Sequence, residues 1–411
     1  MRSKTFCIKP WVHIATYTSG EALMCCVAKE AAGNLNRDTI EQIWNSDHYK
    51  QARLKMLKGE KVSACTKCYD EEAGGVLSHR VIQNHLWEDK ESTNEGHVGK
   101  EAMDKLIAET RDDGYLETKP ISFDFRLGNT CNLQCVMCGP KDSSKWVGLA
   151  KQLGQIDKWD TSKFNWVEDQ DFWDKQFLPL LPNIKHLILA GGEPMYLKQH
   201  VPLLEKIVEQ GYAKNIKIRY HTNATIIPSN KILELWKEFK FIDYTMSIDC
   251  YEEKNSYIRY PDHWENIVDT LHMVDSSYDN IGPRMNCTIN ALNVFYIPEF
   301  VEWVESQKFE KVSQGTQHGL PFIGYVHGPT YLNCKVLPEH VKKVIADKYD
   351  EWYKGRKEKN YSVDSIYGIK NFMLSEDKSK HFKMFESYIQ KMDNIRGTDF
   401  AKTFPELAAL I

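Results

Sequence analysis

Three cysteines fall within eight residues, Cys131-Asn132-Leu133-Gln134-Cys135-Val136-Met137-Cys138. Spaced by three and then two residues on one short loop, these thiols can reach three corners of a small metal–sulfur cube. They cannot complete a four-cysteine site. Iron–sulfur clusters normally take four thiolates, so three leave one iron open to a ligand that is not protein. An open metal position usually marks a catalytic site, and a fully ligated one a structural site. The plainer alternative is zinc or a set of buried, reduced thiols, because C-x2-C by itself reads as zinc and free Cys packs as a small hydrophobe. Zinc needs a fourth N or S ligand, and the stretch 129–151 holds no His and no fourth Cys.

A second constellation precedes it: Cys7, the adjacent pair Cys25-Cys26, Cys65 and Cys68. Thr18-Ser19-Gly20-Glu21 reads as a hairpin turn and Leu23–Val27 as the returning strand. A helical stretch over Thr39–Lys58 follows, and Cys65-Thr66-Lys67-Cys68 closes the segment. Four thiolates gathered this way would satisfy either zinc or a [4Fe–4S] cluster, and the chemistry does not choose. Neighbours on a strand face opposite sides, so Cys25 and Cys26 cannot both ligate one centre.

The elements that must position these groups are legible in the middle of the chain. Short apolar runs at Ile121–Leu127, Ile184–Ala190, Ile216–His221, Tyr244–Asp249, Arg284–Ile289 and Phe322–Val326 alternate with helical stretches at Ser143–Leu153, Pro202–Gln210, Lys231–Glu238, Trp264–Val274 and Ile297–Glu305. That alternation predicts βα units around a parallel sheet. Functional groups in such sheets gather at the strand C-termini, and each polar motif falls there. Ala190-Gly191-Gly192-Glu193-Pro194 ends the second run, His221-Thr222-Asn223-Ala224-Thr225 the third, Ser247-Ile248-Asp249-Cys250 the fourth and Asn286–Ala291 the fifth. Arg259 follows Ser247 by twelve residues, and a guanidinium suits a two-pronged grip on a carboxylate. The bland readings are strand-end turns for the polar motifs and a surface charge for Arg259.

Together these residues resemble the radical S-adenosylmethionine (SAM) enzymes, whose C-x3-C-x2-C loop leaves one iron for the amino and carboxylate groups of SAM. The resemblance implies an α/β fold, a partial (β/α)6 TIM-like barrel of radical SAM type. It implies a [4Fe–4S] cluster on Cys131, Cys135 and Cys138. Gly191, Gly192, Glu193 and Pro194 would take the SAM amino group, and Ser247 and Arg259 its carboxylate. Thr222, Asn223 and Asp249 would meet the ribose, and backbone at Met137 and around Asn290 the adenine. Ala224 stands where the family's segment has Gly, and Met137 where an aromatic is common. Cys7, Gly20 with Cys25 five residues on, Gly33-Asn34-Leu35, Ile43-Trp44-Asn45-Ser46, Arg53 and Cys65/Cys68 resemble the shortened SPASM module called a twitch domain. That resemblance implies a second, auxiliary [4Fe–4S] cluster on Cys7, Cys25, Cys65 and Cys68, with Cys26 the alternative to Cys25. In relatives this module follows the barrel; here it precedes it.

The expected organisation is a twitch domain over 1–87, a connecting helix over 88–118, the radical SAM core over 119–337 and a helical extension over 338–411. That extension packs outside the barrel with no visible chemistry. Hydrophobic residues make up 42% and charged residues 27%, ordinary for a soluble globular protein. A net charge of −4 offers no footprint for nucleic acid. No run of eighteen apolar residues suggests a membrane span, and the first residues lack a signal-peptide core. The expected location is the cytoplasm, where eleven cysteines point to metal ligation rather than disulfides.

The resemblance implies reductive cleavage of SAM and hydrogen abstraction from a peptide or protein side chain. The same chemistry on a small molecule or nucleotide is the alternative, and a non-catalytic iron–sulfur or zinc protein the third reading. A flavodoxin or ferredoxin would supply the electron. Groups acting on substrate are weakly marked: His327, Tyr331, Cys334 and Cys287 are candidates near expected strand ends. Trp159, Trp166 and Trp173 recur every seven residues, which predicts one helix face, with a lid as the minority reading.

Overall fold

The hairpin expected around Gly20 is present. β1 (His13–Thr16) returns antiparallel as β2 (Glu21–Leu23), and β3 (Gly33–Asn34) pairs beyond it. Gly20 turns the chain at a φ of 82°, and a Cβ there would collide with the Asn34 and Asn36 side chains. β2 stops at Leu23 rather than Val27, because a turn begins at once: the Ala28 N–H donates to the Cys25 carbonyl at 3.1 Å. The helical stretch over 39–58 is two helices, Ile40–Trp44 and Asp47–Leu57, since Ser46 caps the second by accepting from the Tyr49 N–H.

The computed structural model describes residues 3–73, 78–89, 98–155, 166–312, 320–357 and 359–411. All six expected strands form: β4 (Ser122–Arg126), β5 (His186–Ala190), β6 (Lys217–Thr222), β7 (Phe241–Ser247), β8 (Ile281–Ile289) and β9 (Phe322–Tyr325). β5 is buried at every position, as a strand covered on both faces of a parallel sheet must be. The five expected helices lie at Trp146–Gln152, His200–Glu209, Asn230–Lys237, Trp264–Asp275 and Ile297–Ser306. A sixth, Glu252–Ile258, was not expected and ends at Arg259. The architecture is α/β with a parallel strand core of the partial TIM-like barrel type and a helical C-terminus.

The chain divides into two units. One holds Met1–Asn129, Asp160–Tyr220 and Asn230–Asp243; the other holds Thr130–Trp159, His221–Ser229 and Tyr244–Ile411. In the first, strands follow the order β3-β2-β1-β4-β5-β6. β1 lies parallel to β4, with Ala15 opposite Asp124, so the cysteine-rich hairpin extends the parallel sheet. Trp166 and Trp173 do not share one helix face: they sit in a 3-10 turn (Trp166–Glu168) and a π-helix (Phe172–Phe177), and Trp159 lies outside the described residues. Both rings pack with Phe125 and Phe172, and Trp173 also with Phe177, centroids 4.9–6.0 Å apart, as a buried aromatic cluster on β4. In the second unit β8 lies parallel to β9, and helices Glu339–Gly355, Tyr361–Leu374 and Phe382–Arg396 follow. Among the described residues no helix is long and apolar enough to cross a membrane.

Arg53 is the interior tie of the N-terminal segment. It is fully buried, and its guanidinium donates to the carbonyls of Pro10, Trp44 and Gly114 and to Asn45 Oδ1 at 2.9–3.2 Å. The cation also lies over the Trp44 ring, 4.6 Å from its centroid. Arg53→Ala strips several buried acceptors of their donor at once, which is expected to destabilise the protein by about 3 kcal/mol or more. The check is the urea midpoint, with Arg53→Lys recovering only part, because one ammonium cannot span acceptors arranged for a fork.

Candidate functional site

In the second unit the cysteine loop is fixed by its own backbone. The Gln134 N–H donates to the Tyr260 carbonyl at 2.5 Å and the Val136 N–H to the Ile258 carbonyl at 2.8 Å. That short bridge sets Cys135 opposite Arg259. Arg259 Nη1 points at Cys135 Sγ at 3.9 Å, while its Nε lies 2.8 Å from Asp249 Oδ2. Asp249 is fully enclosed, and its other oxygen accepts from the Thr288 N–H at 2.7 Å. The Nε–Oδ2 approach is a charge contact, not an aligned hydrogen bond. Asn223 Nδ2 points at Cys131 Sγ at 3.9 Å and also donates to Asn132 Oδ1 at 2.9 Å. The Cys138 thiol hydrogen-bonds Cys135 and, with Arg259, draws the Cys135 thiol below its ordinary pKa; that bond and burial push Cys138 up.

The strand-end residues of this unit are turn-holders as well as candidates. Thr222 Oγ1 accepts from the Ala224 N–H at 3.2 Å, and Asn223 Oδ1 from the Thr225 N–H at 3.0 Å. Ala224 itself takes a φ of 61°, a left-handed conformation that favours glycine. Ser247 is the last, half-buried residue of β7. Asn290 is buried, and its Oδ1 accepts from the Leu292 N–H at 2.9 Å in the turn after β8. Met137 is half-buried against Cys131, Leu133 and Cys135.

In the first unit the glycine motif closes the ends of β4 and β5. The Gly192 N–H donates to the Gly128 carbonyl at 2.8 Å. Gly191 has a φ of 123°, and a Cβ on it would lie 2.5 Å from that same carbonyl oxygen. Glu193 is buried and caps the turn Pro194–Tyr196 by accepting from the Met195 N–H at 3.1 Å.

The N-terminal thiols form their own group in this unit. Cys7, Cys25 and Cys68 are buried and Cys65 is half-buried. Burial pushes Cys7 up to about 11 and Cys25 to about 12, and raises Cys65 and Cys68 as well. Cys65 lies within the electrostatic reach of Cys7, Cys25 and Cys68. Backbone N–H groups of Lys9, Val27 and Arg80 point at the sulfurs of Cys7, Cys25 and Cys68. The burial-raised Cys26 thiol feels Asp124 and Arg126 on β4 instead, besides Cys25 and Lys9. Donors directed at sulfur favour the thiolate, so the donor sets in both units fit anionic, metal-bound sulfur. None of the eleven cysteines forms a disulfide. Among the described residues no three His, Cys, Asp or Glu side chains converge as ligands of one metal ion.

The weakly marked candidates separate by exposure. His327 is exposed and meets the Phe372 ring edge-on, and Tyr331 is half-buried against Tyr388. Cys287 and Cys334 are enclosed, with thiols pushed up by burial. Two anchors escaped the sequence reading. Arg80 Nη1 and Asn84 Nδ2 both donate to the Phe6 carbonyl, at 2.5 and 2.9 Å, and so fix the residue before Cys7. Their four-residue spacing on helix His79–Glu88 was the available signal. The second is the C-terminal helix Phe382–Arg396, which was expected to stand apart from the chemistry and instead grips the cysteine loop through Tyr388 and Arg396.

Residues 125–292 match the family model of the radical SAM superfamily, and residues 7–69 match that of the SPASM iron–sulfur cluster-binding domain. No curated protein matches the chain. Among solved structures, the chain is similar to native anSMEcpe with bound AdoMet (14% identity, TM-score 0.39), covering 56% of this chain and 59% of that one. It is similar to SuiB of Streptococcus suis at 14% identity and a TM-score of 0.36, over 78% of this chain and 66% of that one. TYW1 with a lysine-pyruvate adduct bound is similar at 16% identity and a TM-score of 0.30, over 57% and 74%. The chain thus spans less than two thirds of anSMEcpe and of SuiB.

The close approach at Gly191 gives a test of the motif's geometry. Gly191→Ala must displace the end of β4 or of β5, and a loss of about 2 kcal/mol is expected in thermal denaturation. Gly139→Ala, where an added Cβ meets nothing within 4 Å, is expected to change stability by less than about 0.5 kcal/mol.

Proposed function

The chain belongs to the radical SAM superfamily, with a SPASM-type domain ahead of its strand core, and from that premise we propose that it is an enzyme acting on a peptide or protein side chain. Cys131, Cys135 and Cys138 would hold a [4Fe–4S] cluster with one iron left for SAM. When bound, cluster and SAM supply reductive cleavage of the sulfonium and a 5′-deoxyadenosyl radical that takes a hydrogen atom from the substrate. The observation that carries this reading is the pair of donors aimed at sulfur, Asn223 at Cys131 and Arg259 at Cys135.

The remaining roles follow from the same residues. Asp249 holds Arg259 by charge, so the guanidinium is presented beside the cysteine loop; with Ser247 it would take the SAM carboxylate. Gly191 to Pro194 would take the amino group, Thr222, Asn223 and Asp249 the ribose, and Met137 and Asn290 the adenine. Cys7, Cys25, Cys65 and Cys68 would hold the auxiliary cluster, with Cys25 favoured over Cys26 by the Val27 N–H aimed at its sulfur and by its place in the reach of Cys65. His327 and Tyr331 keep exposed surface and are the better candidates for substrate contact than the enclosed Cys287 and Cys334. A flavodoxin or ferredoxin would deliver the electron, in a cytoplasm reducing enough to keep the thiols free.

Anaerobically reconstituted protein given dithionite and SAM is expected to form 5′-deoxyadenosine, and Cys131→Ala to form none. Cys65→Ala is expected to lose about four of about eight irons per chain while the SAM-binding cluster remains. Zinc rather than iron at Cys131, Cys135 and Cys138 would sink the proposal. Deuterium passing into 5′-deoxyadenosine from a labelled small molecule, and not from peptides, would replace the substrate class alone.

A further inference from the structure

The bridge to Ile258 and Tyr260 uses the N–H groups of Gln134 and Val136. The carbonyls of the same two residues, which flank Cys135, are taken from a distant part of the chain. The Tyr388 hydroxyl donates to the Val136 carbonyl at 2.7 Å, and Arg396 Nη2 donates to the Gln134 carbonyl. Both belong to helix Phe382–Arg396, eight residues apart on one face. Tyr388 is buried and Arg396 half-buried.

Arg396 is itself held in place. Its guanidinium lies 4.9 Å from the Tyr260 ring centroid, and Nη1 donates to the Tyr257 carbonyl at 3.4 Å. One turn earlier, Asp393 Oδ1 accepts from the Tyr257 hydroxyl at 2.8 Å and from Thr398 Oγ1 at 2.6 Å, and Oδ2 accepts from the Phe400 N–H at 2.9 Å. Gly397, at a φ of 68°, ends the helix and lets the chain fold back onto this carboxylate. The helix is therefore locked to the segment Tyr257–Tyr260 that carries Arg259, and the cysteine loop is clasped between them.

We infer that helix Phe382–Arg396 is part of the cluster site, with Arg396 and Tyr388 as positioning residues that hold the cysteine loop in its ligating shape through the Gln134 and Val136 carbonyls. The inference rests on the radical SAM reading and adds to it a demand on residues more than two hundred and fifty positions away. The loop is thus clasped through N–H groups on one side and carbonyls on the other. Arg396 also brings a second cation, beside Arg259, to a place that gathers thiolates.

The test uses the full chain, reconstituted anaerobically, as Arg396→Gln, Arg396→Lys, Tyr388→Phe and, as a control on the same helix, the exposed Lys391→Gln. Two quantities are read: the rate at which a ferrous chelator removes iron, and the change that SAM produces in the electron paramagnetic resonance spectrum of the reduced protein. The second reports only the cluster that holds SAM. Arg396→Gln is expected to release that cluster's iron about tenfold faster, the loss of one charge-assisted hydrogen bond, and to alter the SAM-dependent signal. Arg396→Lys should restore part of both, Tyr388→Phe should speed release about threefold, and Lys391→Gln should match the wild type. Release at the wild-type rate with an unchanged signal in Arg396→Gln overturns the inference and leaves the radical SAM reading standing. If Arg396→Gln does not fold, Tyr388→Phe, which removes only an O–H, decides by the same two measurements. A wild-type protein whose spectrum ignores SAM overturns the reading and this inference together.

Discussion

Collecting negatively charged sulfur away from water is electrostatically unfavourable, and the layout of this chain answers that constraint twice. Burial, the largest influence, pushes Cys7 up to about 11 and Cys25 to about 12, which favours neutral thiols. A bound cation reverses that preference. Beside Cys7 and beside Cys135 the backbone is tied to helices from elsewhere in the chain.

The two ties follow the same chemistry. Arg80 donates to the carbonyl of Phe6, one residue before Cys7, and Arg396 to that of Gln134, one residue before Cys135. Each has a neutral companion on its own helix, Asn84 at Phe6 and Tyr388 at Val136. A guanidinium suits the task because it fixes backbone geometry with a forked donor and leaves its charge beside a sulfur. Lysine would supply the charge as a mobile point. In each case the carbonyl beside the cysteine is the handle, which leaves the sulfur lone pairs for metal.

Much of the strand core was legible because strands covered on both faces must be continuously apolar, and runs such as Ile184–Ala190 have no other stable home. The motifs were legible because glycine and cysteine spacing encodes backbone conformation directly. Gly191 cannot carry a side chain, and Ala224 occupies a left-handed position where the family's pattern has glycine. Segments set by tertiary contact were not legible. Helix Glu252–Ile258 is short and polar and gave no periodic signal. Ser46 divides the expected helix over 39–58 by capping its second half. Trp166 and Trp173 stand at helical spacing yet serve an aromatic cluster that a 3-10 turn and a π-helix assemble around Phe125. Helix Phe382–Arg396 was visible as a helix, but nothing local reveals that Arg396 and Tyr388 reach a loop far back in the chain.

Arg259 shows how the site's electrostatics narrow its chemistry. Burying a guanidinium against a carboxylate loses hydration on both partners, and an apolar pair of equal size is often as stable. The pair with Asp249 is thus poorly explained as a device for stability. Its geometry points the same way: Nε and Oδ2 approach to 2.8 Å without alignment, while Nη1 is turned toward Cys135. Asp249 is anchored on its other side by the Thr288 N–H and cannot swing to improve the contact without losing that bond. The carboxylate therefore orients the cation more than it neutralises it, and the unspent attraction is directed at the cysteine loop, where an anionic cluster and the carboxylate of an amino-acid cofactor would both be drawn.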